Sequence, residues 1–195
     1  PKYCVSIALL HRDVLSQAVI YDPVSNELFT ASRGQGAYLN DHRIRVSKRT
    51  DLSESLIGTG FPFRDLSFME AYLAMFKAVI PKTAGIRRPG SAALDLAYVA
   101  SGRYDGFWEI GLSPWDIAAG CLLIIEAGGM VSDLEGNDHY LKSGQVVAGN
   151  PKIFPQLTEI ISPYITDQLL FWGALILLAI LSLSALRRIN PAASA

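Results

Sequence analysis

The spacing of apolar positions changes near residue 60. Before it, short apolar or alternating runs are separated by turn signals. CVSIALL and VLSQAVIY flank the polar HRD, which predicts two strands joined as a hairpin. DPVSNE reads as a turn, ELFTAS and GAYLN as further short strands around RGQG, and NDHR as a turn into IRVS. SLIGTGF is one more strand. The pattern predicts an antiparallel meander with few helices.

After FPFRD the spacing becomes helical. DLSFMEAYLAMFKAVI (65–80) predicts a helix capped by Asp65, and GIRR a short extended stretch. SAALDLAYVASG (91–102) predicts a helix from Ser91 to the stop at Gly102. YDGFWEI is a strand, and Ser113-Pro114 opens a helix that ends at Gly128-Gly129. MVSD and QVVAGN are strands, and PKIFPQLTEII is a last helix beginning at Pro151. Alternating strands and helices make this half α/β. A β-rich part followed by an α/β part predicts a layered sandwich with its site at their junction.

The pattern changes again at the end. LLFWGALILLAILSLSAL (169–186) carries no charge and is followed by Arg187 and Arg188. As a helix it would span about 27 Å, near the thickness of a bilayer core. It is apolar on every face, so a membrane segment is expected. The opening PKYCVSIALLHRD is strand-like, has no signal-peptide pattern, and reads as a start in mid-sheet. The expected division is 1–60 for the remainder of an N-terminal antiparallel sheet region, 61–165 for a C-terminal α/β region, and 166–195 for the apolar helix and a short tail.

Composition narrows the function. The 195 residues are 50% hydrophobic and 18% charged, and 17 Lys and Arg against 18 Asp and Glu give a net charge of −1. That balance gives no broad pull toward nucleic acid, so no direct nucleic-acid binding is expected. The basic run RIRVSKR (43–49) alternates with apolar residues and reads as an exposed strand face. Cys4 and Cys121 lie in apolar runs and read as small core residues. The three His are scattered at 11, 42 and 139, which argues against zinc.

Two stretches could carry chemistry. In EIGLSPWD (109–116), Glu109 ends a strand and Asp116 lies in the first turn of the next helix. A short loop brings both acids to one end of the sheet, where α/β proteins bind ligands. Ser113 at N-cap, Pro114 at N1 and Asp116 at N3 also make a capping box worth ~1 kcal/mol. Locally, capping and metal binding both remain open for Asp116. In RRPGSAALD (87–95), Gly90-Ser91 leads into a helix with free backbone N–H groups, a hydroxyl and nearby Arg, a set suited to an anion or polyol or simply to an N-cap. RGQG lacks the Lys-Ser/Thr of a phosphate-binding loop and reads as a hairpin turn.

Together these stretches resemble a known family. WDIAAGCLLIIEAGGMVSD looks like the C-terminal signature of the inositol monophosphatase family, and RRPGSAALDLAYVASGRYDGFWEIG resembles the segment before it. YDPVSNELFTASRGQGAYLND, GTGFPF and AGNPKIF match its bacterial branch, so the resemblance runs over about residues 1–160. It implies an α/β (α+β) layered sandwich of the inositol monophosphatase and fructose bisphosphatase type, a cytoplasmic location, a homodimer, and hydrolysis of inositol phosphate or a similar polyol phosphate with Mg2+. It also implies site roles. Asp116 would be a metal ligand, Gly90, Ser91 and Ala92 would contact substrate, and Glu109 would accept a hydrogen bond from an inositol hydroxyl.

The resemblance is incomplete. The family's other metal ligands, a Glu in a Gly-Glu-Glu type motif and two acids in Asp-Pro-Ile/Leu-Asp-Gly-Thr/Ser, are absent; Asp22-Pro23 continues with Val-Ser. The chain matches the family's C-terminal two-thirds, so it reads as N-terminally truncated. Asp116 alone would not retain a catalytic pair of ions. The expectation is a phosphomonoesterase relative that is inactive as it stands, with no catalytic residue assigned. Strand edges and an apolar face should lie open near residues 3–20. The alternatives are a membrane-tethered binding module anchored through 169–186, because some bacterial members are associated with the transcription machinery, or a degraded gene product.

Overall fold

Which face of each strand is apolar decides which layers it joins. The computed structural model describes residues 2–164. Its first sheet is a meander of five strands in sequence order, β1 (Val5–His11), β2 (Val14–Asp22), β3 (Glu27–Ser32), β4 (Gly36–Leu39) and β5 (His42–Ile44), each antiparallel to the next. Alternate residues point to one side. Ala18 pairs with Ala31 and Ile20 with Phe29, and all four are buried. Two tight turns place Arg12 and Asp13 (φ 53° and 61°) and Asn40 and Asp41 (φ 45° and 63°) in the left-handed region, as two-residue hairpin loops require.

The expected strand IRVS is shorter and earlier than its sequence suggests. Only His42–Ile44 pairs with β4. The following residues are taken over by the second half of the chain. Val46 N–H donates to the Ala127 carbonyl at 3.2 Å. Asn150 Nδ2 donates to Ser47 Oγ at 2.8 Å and to the Arg49 carbonyl at 3.1 Å. Asn150 Oδ1 also accepts from Lys152 and Ile153 N–H at the entry to the helix that follows.

The second sheet is mixed. β6 (Leu56–Thr59) runs parallel to both β7 (Gly85–Arg87) and β8 (Gly106–Ile110). β10 (Gln145–Gly149) is antiparallel to β8 and to β9 (Met130–Ser132), giving the order β7-β6-β8-β10-β9. Both faces are covered. Phe107, Val146 and Ala148 point to one side and Trp108 and Val147 to the other. The first side meets α2 (Ala92–Ala100) and α3 (Pro114–Glu126), which the first sheet covers on their far side. The second side meets α1 (Met69–Val79) and α5 (Ile153–Ile161) through Tyr72, Met75, Val79 and Leu157. A short α4 (Tyr140–Ser143) leads into β10. The layers are therefore sheet, helices, sheet, helices: the layered α/β sandwich the pattern predicts.

Helix entry differs in detail from expectation. Asp65 does cap, but it caps a single 3-10 turn, Leu66–Phe68, by accepting from Ser67 N–H at 3.0 Å; α1 begins after it. Ser91 sits at the N-cap of α2, yet its side chain makes no capping bond. The turn after α2 is fixed to the first sheet by Arg103, whose guanidinium donates twice to Glu27.

The outer face of the first sheet is open at β1, an edge strand among the described residues. Val5, Ile7 and Leu9 are each about half exposed. No helix of the described residues is long and apolar enough to cross a membrane. The expected apolar segment 169–186 lies outside them.

The helical layer is tight where α2 crosses α3. A Cβ built on Gly120 would lie 2.5 Å from Leu96 Cβ. Gly120→Val should therefore destabilise the fold by about 1–3 kcal/mol through overpacking, read as a lower urea midpoint with unchanged slope.

Candidate functional site

The ends of both sheets and the starts of both central helices meet at one open cavity of about 650 Å³. Its wall is built from five separate stretches: the residues leading into β1, the loop after β6, the loop before α2, the end of β8 and the start of α3. Each turn into the cavity has a local cause. Gly60 follows β6 beside Glu109, where a Cβ would lie 2.2 Å from the carboxyl group, so a side chain there would make that carboxyl group move. Gly111 takes φ 83° and swings the chain from β8 into α3.

All five residues expected from the sequence, Asp116, Glu109, Gly90, Ser91 and Ala92, line this cavity. Asp116 does act as a helix cap: its Oδ2 accepts from the Ser113 backbone N–H at 2.9 Å. The same oxygen also accepts from Arg64 Nη1 at 3.3 Å. Its other oxygen, Oδ1, has no hydrogen-bond donor among the described residues. Ser91, free of capping, turns its hydroxyl to Cys4 Sγ at 3.7 Å. Cys4 is thus half-buried on the cavity wall rather than in the core, whereas Cys121 is fully buried as expected. Burial pushes the Cys4 thiol above its ordinary value.

Two buried carboxyl groups, one on the cavity wall and one behind it, accept no hydrogen bond among the described residues. Glu109 is 8% exposed and accepts no hydrogen bond among the described residues. Burial, helped by the charge of Asp116, raises its pKa to about 7, while Arg88 and Arg64 pull the other way. Asp95, on α2 beneath the cavity, is 1% exposed and its Oδ1 has no partner. Burial first, and then the charge of Glu109, lift it to about 8.

Positive charge stands opposite. Arg88 lies over the Phe61 ring at 5.0 Å, a cation–π contact that holds it at the cavity. Lys2 donates to Tyr98 Oη at 3.0 Å and lies 3.8 Å from Asp22. Arg64 and Lys2 were not legible from the sequence, because nothing near them in the chain announces a site. Asp95 left a signal: it is an acid inside the apolar run AALDLAYVA. Among the described residues no group of three or more His, Cys, Asp or Glu could hold a metal ion. The cavity can therefore accept hydroxyl hydrogens, present cations to an anion, and offer single carboxylate oxygens to a cation.

Comparison with known proteins agrees with this geometry. The model of the inositol monophosphatase family matches residues 1–166. The Nus factor SuhB of Pseudomonas aeruginosa is 54% identical over 171 residues, and that of Escherichia coli K12 is 48% identical over 169 residues; each alignment covers 87% of this chain and 63% of the relative. The chain thus spans less than two thirds of the length of these relatives. The crystal structure of the extragenic suppressor protein suhB from Bartonella henselae matches with TM-score 0.78 at 47% identity, over 81% of this chain and 60% of that one. The inositol monophosphatase from Anabaena (Nostoc) sp. matches with TM-score 0.76 at 44% identity, over 80% of this chain and 62% of that one. The four-layer sandwich, the cavity at its sheet ends and these matches agree, and the chain belongs to the inositol monophosphatase family.

Proposed function

We propose that these residues form the substrate-recognition part, and one carboxylate of the metal site, of a magnesium-dependent phosphomonoesterase acting on inositol phosphate or a similar polyol phosphate. The observation that carries this reading is the convergence of Asp116, Glu109 and Gly90-Ser91-Ala92, from three stretches of the chain, on one cavity. The similarity to the Anabaena inositol monophosphatase supports it.

Magnesium takes oxygen ligands, keeps several waters and is commonly held by one or two carboxylates plus substrate phosphate. Asp116 can offer Oδ1, since Oδ2 is taken by Ser113 and Arg64, but one carboxylate among the cations Lys2, Arg64 and Arg88 does not by itself make a magnesium site. When bound, the ion supplies Lewis-acid stabilisation of charge on the phosphoryl oxygens. The chain's own residues do the rest of the recognition. Glu109 in its ionised form accepts a polyol hydroxyl. Ser91 and the backbone N–H groups at the start of α2 orient polar oxygens. Arg88, held over Phe61, attracts the phosphate. With a single carboxylate offered, the ion is held weakly, so recognition exceeds turnover.

A second reading, a non-catalytic binding module, draws on the open apolar face. An apolar hollow of about 390 Å³ lies between β1 and the start of α3, beside Ile7, Leu10 and Trp115. Trp115 is 69% exposed. A partner seated there would slow exchange of β1 amides.

Titration of the chain with inositol 1-phosphate, followed by NMR, should show binding that needs Mg2+ and weakens about tenfold or more in Asp116→Asn, with phosphate release near background. Binding indifferent to both Mg2+ and the substitution would overturn the reading.

The buried acids give a pH dependence with a defined sign. In the folded chain Glu109 and Asp95 keep their protons up to about 7 and about 8, against ordinary values of 4.5 and 3.8. Between those limits the folded state binds more protons than the unfolded state, so stability falls as pH rises. The contribution of these two acids to the urea midpoint should fall between about pH 4 and about pH 8, and Asp95→Asn should make that fall smaller.

A further inference from the structure

The basic run at residues 43–49 takes no part in the cavity. Ile44 and Val46 pack inward against the helical core, so the exposed Arg43 and Arg45 point outward. Arg43 is paired in register with Tyr38 on β4, which puts a phenol ring beside the guanidinium on the outer face of the first sheet. The Tyr38 hydroxyl donates to the Gln35 carbonyl at 3.3 Å, which holds the ring in place. The Arg43 guanidinium lies against Gly36, where a Cβ would come within 3.1 Å of Nε, in the turn that also carries Arg33. Past Ser47, whose hydroxyl accepts from Asn150, Lys48 is exposed as well.

The cations Arg33, Arg43, Arg45 and Lys48 make no ion pair among the described residues. Arg33 and Arg45 donate only to backbone carbonyls, those of Leu15 and Ile44. Nearby acids are engaged elsewhere. Glu54 and Asp105 hold Arg49, and Glu126 accepts from the Gly34 and Gly36 N–H groups. Between residues 33 and 49 the chain has five Lys and Arg against one acid, Asp41. The whole-chain charge of −1 hides this local excess.

We propose that this edge of the first sheet binds single-stranded nucleic acid, with its cations on the phosphates and Tyr38 under a base. Because Ile44 and Val46 both face the core, the chain is extended across Arg45. Arg43 and Arg45 therefore repeat at ~6.6 Å, a step suited to successive phosphates of a stretched strand. An Arg fork meets phosphate oxygens with two parallel hydrogen bonds. An acidic peptide would use the same charges but would have no need of the ring. Stacking on an aromatic side chain is what a base adds.

The experiment is fluorescence anisotropy of the full chain with labelled oligouridylate and oligothymidylate of about twelve nucleotides, from about 50 to about 200 mM salt. It is run on the unsubstituted chain, Arg43→Gln combined with Arg45→Gln, Tyr38→Ala, Tyr38→Phe and Lys82→Gln. Lys82 is an exposed lysine beyond α1, in the other helical layer, and controls for charge alone. The double Arg variant should weaken binding about tenfold or more and lower the slope of log K against log salt by about 1.4, at ~0.7 per phosphate contact. Tyr38→Ala should weaken it about fivefold or more, and Tyr38→Phe should restore it. Lys82→Gln should change it by less than about twofold. The proposal is overturned by no binding to the unsubstituted chain at about 50 mM salt, or by equal losses in Lys82→Gln and the double Arg variant. It is also overturned if Tyr38→Ala has no effect and polyglutamate competes as well as the oligonucleotides, an outcome that assigns the strip to an acidic protein segment.

Discussion

Everything in this fold leans on the crossing of α2 and α3. The two helices are apolar on nearly every side, and they touch where Gly120 removes the side chain that would collide with Leu96. That close approach keeps the helical layer thin enough for both sheets to reach it. Ile20 and Phe29 press from one side, and Phe107 and Val146 from the other. Because the layer is shared, neither sheet has a core of its own on that side. The second sheet adds an independent one on its far face, where Trp108 packs with Tyr72.

The same two helices aim the chemistry. Both start at the cavity, α2 after Gly90-Ser91 and α3 after Ser113-Pro114. The layering that fills the core therefore also delivers two helix N-termini, with their free N–H groups, to one place. Charges there are arranged by burial. Glu109 and Asp95 are sunk deep enough to resist ionisation, while Asp116 stays partly wet and paired to Arg64. The hold that Glu109 and Asp95 keep on their protons thus comes from depth and neighbours rather than residue type.

Strands and helices were legible because their periods are clean. ELFTAS forms β3 with the expected bounds, and the helix after Ser113-Pro114 runs nearly to Gly128. The errors fall where distant residues intervene. IRVS reads as a strand, yet Asn150 and Ala127 pull residues 46–49 away from the first sheet. Ser91 reads as a cap, but its hydroxyl turns to Cys4, a partner 87 residues away. The parallel pairing of β6 with β8 also has no local signature. In the site, motif residues were readable because they sit beside Gly, Pro and helix starts. Arg64 was not, because its meaning comes from a carboxylate it meets only after folding.

The two sheets also differ in how their chain order relates to their strand order. In the first, every strand pairs with the one just made, so each pairing closes a loop of a few residues. In the second, β6 must find β8 across α1, β7 and α2, and β8 must find β10 across α3 and β9. Loop-closure entropy grows with the length enclosed, so the second sheet carries the larger conformational debt. By that measure its long-range pairings, rather than the meander, are the contacts expected to form last.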